Sequence, residues 1–191
     1  KSFTLLISRN LPLIYISGGV TGALSLNRLI YTILPDLLIN YTVVHQVGRN
    51  NLDQAEWYKQ TLARELQLNY LPIAYFDEYE HSWFLNQAKF IISRSGANTV
   101  TEFALIAKVS LQIPLPWSAA NEQFYNAKIL VKAGSAEVYQ QDKDSNLLQF
   151  INNMLNNYEK YFSNAKKFTI KIQKNGTEKM LNEMLKIISL K

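Results

Sequence analysis

The 191 residues are 48% hydrophobic and 18% charged, which describes a chain that folds around a core and excludes a disordered one. There is no cysteine, and the histidines are His45 and His81 alone, so disulfides and thiolate metal sites are excluded and a histidine-built metal site is not expected. The net charge of +5 sits at the end of the chain: from Glu159 onward eight lysines face three glutamates, whereas residues 1–158 carry twelve basic and twelve acidic groups.

The chain begins at Lys1, as a fragment or a processed chain would. The apolar start, Phe3 to Ile7, is interrupted by Arg9 and Asn10, and no apolar run reaches the roughly 18 residues of a membrane span. Leu13–Ser17 is an apolar strand pattern, followed by the turn Gly18-Gly19-Val20-Thr21-Gly22 and a helix pattern over about 23–39. Thr42–Gln46 predicts a second strand, about 51–67 a polar helix, and 71–76 a third strand. A short aromatic helix with Trp83, Phe84 and Ala88 leads into a fourth strand, Lys89–Ser93.

Ser93 to Glu102 reads Ser-Arg-Ser-Gly-Ala-Asn-Thr-Val-Thr-Glu, a glycine turn between a buried strand and a helix start. Such a turn presents backbone N–H groups to an anion. Thr99 and Glu102 also have capping-box spacing, so Glu102 stays open between helix cap and ligand contact. Val109–Ile113 predicts a fifth strand ending at Pro114 and Pro116, about 121–133 a helix stopped by Gly134, and Ala136–Tyr139 a sixth strand. Beyond Asp142 the pattern is helical, with a break at Asn175-Gly176 and a last amphipathic helix carrying Met180, Leu181, Met184, Leu185 and Ile188. Asp142-Lys143-Asp144 matches a metal-binding D-x-D, but its place at a helix start favours capping.

Alternating strands and helices predict one α/β domain with a six-stranded parallel sheet, a core over about 12–141 and a helical tail over about 142–191. In such a sheet ligands sit beyond the carboxyl ends of the strands. Four loops occupy that edge. The turn 18–22 suits a phosphate, although it has neither the dinucleotide spacing nor a P-loop Gly-Lys-Ser/Thr. Tyr75 and Phe76 offer rings for a base, or are simply core. Residues 95–99 form the second anion turn. Asn121 and Gln123 are amides able to read sugar hydroxyls, or a helix cap and a solvated side chain.

Five motifs in order, Ser17-Gly-Gly-x-x-Gly-Ala23, His45-Gln-x-Gly48, Ile92 to Glu102, Ile113-Pro-Leu-Pro116 and Asn121-Glu-Gln-x-x-Asn-Ala127, resemble the C-terminal donor-binding domain of the MurG-type N-acetylglucosaminyltransferases of glycosyltransferase family 28. The resemblance covers about 12–141 and continues more loosely to the end. It implies a Rossmann-like fold that is the C-terminal half of a GT-B enzyme. Such an enzyme transfers N-acetylglucosamine from its UDP donor to lipid-linked muramoyl-pentapeptide in peptidoglycan synthesis, as a peripheral protein at the inner face of the bacterial membrane. By matching position, Gly18, Gly19, Thr21 and Gly22 would meet the diphosphate, and Tyr75 and Phe76 the uracil, one by stacking and one through its backbone. Ser95, Gly96, Ala97, Asn98 and Thr99 would line phosphate and sugar, Glu102 would bind the ribose hydroxyls, and Asn121 and Gln123 would read the sugar.

The sequence departs from the family at Val20, where a small polar residue is usual, at Glu122, where glutamine is common, and by an extra residue between Tyr79 and Trp83. The family's acceptor domain, with its general base, would precede Lys1, so the catalytic residues are unknown here. No metal or other cofactor and no nucleic-acid partner is expected. The partners implied are the UDP-sugar and, through a missing N-terminal domain or a partner subunit, the lipid-linked acceptor. A basic tail suits an anionic membrane surface, although a solvated helix face explains it as well. The alternatives are a separate donor-binding subunit and a UDP-sugar binding module without turnover. A 2-epimerase of the same shape is weaker, because the sequence has no acid/base cluster for it.

Overall fold

Leu-Ile-Tyr-Ile-Ser and Thr-Val-Val-His-Gln have no consistently polar face, and strands of this kind are stable only where both faces are covered. They form β1 (Leu13–Ser17) and β2 (Thr42–Gln46), buried along their whole length. With β3 (Tyr70–Ile73), β4 (Phe90–Ser93), β5 (Ser110–Gln112) and β6 (Ala136–Val138) they build a 6-stranded sheet in the order β3-β2-β1-β4-β5-β6, every pair parallel. The computed structural model describes residues 11–19, 23–141 and 146–172 and the single positions 181, 182 and 186.

The helices are α1 (Leu24–Tyr31), α2 (Leu34–Asn40), α3 (Leu52–Thr61), α4 (Arg64–Gln67), α5 (Glu78–Gln87), α6 (Ala97–Leu105), α7 (Glu122–Lys132), α8 (Leu147–Asn156) and α9 (Tyr158–Lys171). Side-chain alternation divides the core. Ile14, Ile16, Val43, Phe90 and Ile92 pack on one side against Leu26, Ile30, Leu34, Leu37 and Leu38 of α1 and α2 and Ile151 and Met154 of α8. On the other side Tyr15, Val44 and Ile91 meet Phe84 of α5, Val100 and Phe103 of α6 and Leu130 of α7. Each such side chain contributes about 1.5–3 kcal/mol when fully buried.

The helices after residue 146 are part of this body. Leu147, Ile151 and Met154 belong to the core, Thr169 Oγ1 donates to the Ala104 carbonyl at 2.6 Å, and Tyr161 donates to Glu137 at 2.8 Å. Asn164 Nδ2 donates to the Gly134 carbonyl at 3.2 Å, and a Cβ at Gly134, whose φ is +70°, would stand 2.7 Å from that nitrogen.

Several expected boundaries move. The helix expected over 23–39 is two, because Pro35 has no N–H to give Tyr31 and stands instead in the first turn of α2. The helix expected over 51–67 breaks at Leu62 and Ala63, both extended; the turn brings Leu62 and Leu66 onto the core, and Gln67 Nε2 satisfies the Leu62 carbonyl at 2.8 Å. The third strand stops at Ile73, and Pro72 is accommodated because β3 is an edge strand. Capping of α8 falls to Asn146, whose side chain accepts from Gln149 N–H at 3.0 Å. Asp142 and Asp144, the apolar start, the break at 175–176 and most of the last helix lie outside the described residues.

His45 is fully buried on β2. Asn27 Oδ1 lies 3.1 Å from Nε2 and Tyr70 Oη 3.1 Å from Nδ1, which suits a neutral ring with its proton on Nε2. Burial pushes its pKa from 6.5 down to about 3. The unfolded chain therefore binds the extra proton first: His45 contributes stability above pH 6.5 that is lost as the pH falls toward 3, by up to about 1.4 kcal/mol per unit. His45→Gln is expected to lower the melting temperature at pH 7 yet flatten its decline between pH 7 and 5, measured by circular dichroism. Parallel declines in the two proteins would contradict this.

Candidate functional site

The strand order reverses direction between β1 and β4, and there the carboxyl ends of two adjacent strands diverge into separate turns. Ser17 pairs with Ser93 in the register, and the Arg94 N–H donates to the Ser17 carbonyl at 3.3 Å, so the turns after β1 and β4 lie side by side. Gly19 has a φ of +85°, a conformation that suits glycine, with nothing within 4 Å of where a Cβ would stand. The second turn ends at Gly96, the N-cap of α6. No side chain caps that helix, and no acidic residue stands in its first turn. The N–H groups of Ala97, Asn98 and Thr99 and the positive end of the helix dipole are thus left for an external partner.

A cleft of about 720 Å³ opens above these turns. Gly18, Gly19, Gly96, Thr99 and Gln123 line it, together with Arg94, Arg28, Leu115 and Trp117. Arg94 is 7% exposed. Its guanidinium reaches the carbonyls of Ile113 and Pro114 at 2.9 and 3.1 Å, Gln141 Oε1 at 2.7 Å and Ser25 Oγ at 2.7 Å. Burial pulls its pKa from 12.5 down to about 10, which leaves it cationic at neutral pH. Nε of Arg94 and the hydroxyls of Ser93 and Ser95 are buried with no hydrogen-bond partner among the described residues. A nearby cation, two glycine turns and an uncapped helix start together suit a compact, multiply charged anion.

Of the other described residues expected at the site, Tyr75, Phe76, Ser95, Ala97, Asn98, Glu102 and Asn121 do not line this cleft. Ser95 is buried, and its carbonyl accepts from Asn126 Nδ2 at 3.2 Å. Ala97 and Asn98 are exposed at the start of α6. Tyr75 is 42% exposed, with the Arg49 guanidinium 5.6 Å over its ring. Phe76 is buried between Tyr15 and Phe84, so only its backbone is available to a ligand. The Asp77–Glu80 capping box fixes that turn: Glu80 N–H donates to Asp77 Oδ1 at 2.8 Å, and Asp77 N–H to Glu80 Oε2 at 3.3 Å.

Gln123 is not merely solvated, since its Oε1 accepts the Leu115 N–H at 3.0 Å and ties the loop after β5 to α7. Asn121 does not line the main cleft. It is left-handed at φ 55°, makes no side-chain cap bond, and borders a neighbouring cleft of about 230 Å³ with Pro114 and Gln141. Thr21 and Gly22 lie outside the described residues. Of the two readings left open for Glu102, the capping box with Thr99 is absent, because α6 starts at Ala97, which places Thr99 inside the first turn and Glu102 in mid-helix. Arg94, Arg28 and Trp117 were not singled out by the sequence pattern. The usable signal for Arg94 was a charged residue directly after a fully apolar strand. Among the described residues no group of three or more His, Asp or Glu side chains gathers to hold a metal ion.

The family model described as the glycosyltransferase family 28 C-terminal domain matches residues 13–182. The chain belongs to this family. It is 37% identical over 136 residues to the UDP-N-acetylglucosamine–N-acetylmuramyl-(pentapeptide) pyrophosphoryl-undecaprenol N-acetylglucosamine transferase of Treponema denticola, covering 69% of this chain and 34% of that protein. It is 30% identical over 185 residues to the transferase of the same name in Clostridium tetani, covering 95% of this chain and 48% of that protein. Among solved structures, Acinetobacter baumannii MurG aligns with a TM-score of 0.77 and 25% identity over 96% of this chain and 52% of that one. The chain thus spans less than half the length of these two curated relatives and about half of the solved one. The six-stranded parallel sheet flanked by helices is the fold of the C-terminal half of a GT-B glycosyltransferase.

Arg94→Lys keeps the charge but loses the planar fork that serves Ser25, Ile113, Pro114 and Gln141. It is expected to lower unfolding stability by about 2–4 kcal/mol in urea titration. A variant as stable as the parent would show that the fork does not organise this edge.

Proposed function

We propose that this chain is the donor-binding half of an inverting N-acetylglucosaminyltransferase. It holds UDP-N-acetylglucosamine for transfer to lipid-linked muramoyl-pentapeptide in peptidoglycan synthesis. The carrying observation is the convergence of Arg94, the turn at Gly18 and Gly19, and the uncapped start of α6 on one cleft at the β1/β4 switch point. The printed names of the relatives supply the donor and the acceptor.

In this reading Gly18, Gly19, Thr21 and Gly22 take the diphosphate, and Ser95 to Thr99, the turn before α6 and its start, line phosphate and sugar. Tyr75 stacks on uracil and the backbone of Phe76 reads its edge. Glu102 accepts from the ribose hydroxyls, and Gln123 and Asn121 read the sugar. As the acceptor hydroxyl attacks the anomeric carbon from the opposite side, the bond to the UDP oxygen breaks and negative charge grows on the leaving diphosphate. The oriented N–H groups and Arg94 stabilise that charge without needing to reorganise. The general base and the acceptor site belong to an N-terminal acceptor domain that precedes this sequence in the complete enzyme, acting at the inner face of the cell membrane. No helix of the described residues is long and apolar enough to cross a membrane. Lys132, Lys167 and Lys171 line a groove with Ile129 and Phe168 that suits contact with anionic lipid.

Calorimetric titration of the chain is expected to give binding of UDP-N-acetylglucosamine and UDP below the millimolar range and weaker binding of UDP-galactose. Absence of binding by all three would defeat the reading. Glu102→Ala, which removes no cap, is expected to change stability by no more than about 0.5 kcal/mol while weakening UDP. Unfolding without a loss of affinity would return Glu102 to a structural role.

A further inference from the structure

A chain of polar contacts links Glu102 to the glycine turn on the other side of the switch point. Glu102 Oε2 lies 3.5 Å from His81 Nε2, longer than a short hydrogen bond and an ion pair only when the ring is protonated. His81 Nδ1 is 3.0 Å from Tyr15 Oη. Tyr15, fully buried on β1, donates to Gln46 Oε1 at 2.7 Å, and Ser17 Oγ donates to the same oxygen at 3.4 Å. Gln46 Nε2 points to the Gly19 carbonyl at 3.5 Å, and the Gly19 N–H donates to Ser17 Oγ at 3.3 Å.

The contact with the Gly19 carbonyl fixes the orientation of the Gln46 amide, because its nitrogen must face that oxygen. Its own oxygen then faces Tyr15, which spends its one proton on it. Burial pushes the phenol well above its usual range, so that proton stays in place. The Tyr15 oxygen can only accept from His81, which therefore donates from Nδ1. The ring satisfies Glu102 at its other end when Nε2 also carries a proton. Glu102 is exposed, on a long side chain that loses about 1.5–2 kcal/mol of rotamer entropy when fixed. It lies three residues beyond Thr99, on the same side of α6. Nothing on α6 itself holds its carboxylate, whereas His81 reaches it from α5.

We infer that His81 is a positioning residue that holds the Glu102 carboxylate in place for a ribose diol, with Tyr15 and Gln46 setting the ring and tying its position to the Gly19 turn. The inference rests on the donor-site reading above. It deepens that reading by assigning the placement of the ribose-binding carboxylate on α6 to a side chain from α5.

The test is the ratio of the UDP and 2′-deoxy-UDP dissociation constants, measured by calorimetry on the full chain, with melting temperatures alongside. The parent is expected to prefer UDP, and Glu102→Ala to bring the ratio to near one. His81→Ala and His81→Asn, which both lose the contact with Glu102, are expected to cut the preference by ~5-fold. His81→Gln, which can still present an N–H near the Nε2 position, is expected to restore most of it. An unchanged ratio in both His81→Ala and His81→Asn overturns the inference whatever happens to the melting temperature. That outcome, with the parent still binding UDP, leaves the donor site standing, whereas a parent that does not bind UDP removes both.

Discussion

A guanidinium that is only 7% exposed governs the geometry of this domain's working edge. Taking a cation from water costs several kcal/mol unless its donors are met, and the acceptors around Arg94 come from different parts of the chain: Ser25 on α1, the carbonyls after β5 and Gln141 after β6. Nη1 alone serves the Ile113 and Pro114 carbonyls and Gln141, and Nη2 serves Ser25, so the charge holds three segments together. The same cation lines the cleft beside the Gly18–Gly19 turn and the uncapped start of α6. The structural requirement and the electrostatic one coincide in a single residue.

That coincidence falls at the β1/β4 boundary, where the cleft opens. Parallel strands all deliver their carboxyl ends to one edge, but only where the crossover direction reverses do neighbouring turns part and leave room between them. The Ser17–Ser93 register sets the separation of the two turns, and α6 aims its dipole into the gap. Clamped at its other end by Thr169 of α9, α6 is held along its length, so its N–H groups are oriented before any ligand arrives.

The sheet was legible in the sequence because its strands are continuous apolar runs separated by helical periodicity, and six strands in a parallel α/β arrangement follow from that pattern. Helix continuity was less legible. The breaks at Ile33 and Leu62 depend on Pro35 and on which leucines the core recruits, and the second is a tertiary demand that periodicity does not carry. The cleft was half legible. Glycine turns and the Ser95–Thr99 start announce themselves by composition, whereas Arg94 points inward from the end of an apolar strand, and His81 meets Glu102 only because α5 and α6 pack on the same side of the sheet. At Thr99 and Glu102 the spacing left cap and ligand contact both open, and the structure removes the cap because Gly96 starts the helix three residues before Thr99.

The lateral margins of the sheet have a consequence for assembly. On one margin β3 carries Pro72, which cannot donate a hydrogen bond, and on the other β6 is three residues long. Neither margin offers an incoming strand a long ladder to extend. A companion domain or subunit therefore gains little by continuing the sheet sideways, whereas the rim at the strands' carboxyl ends remains open to it. The cleft opens on that same rim, so a body that docked there would stand against Gly19, Arg94 and Trp117 and not against a strand.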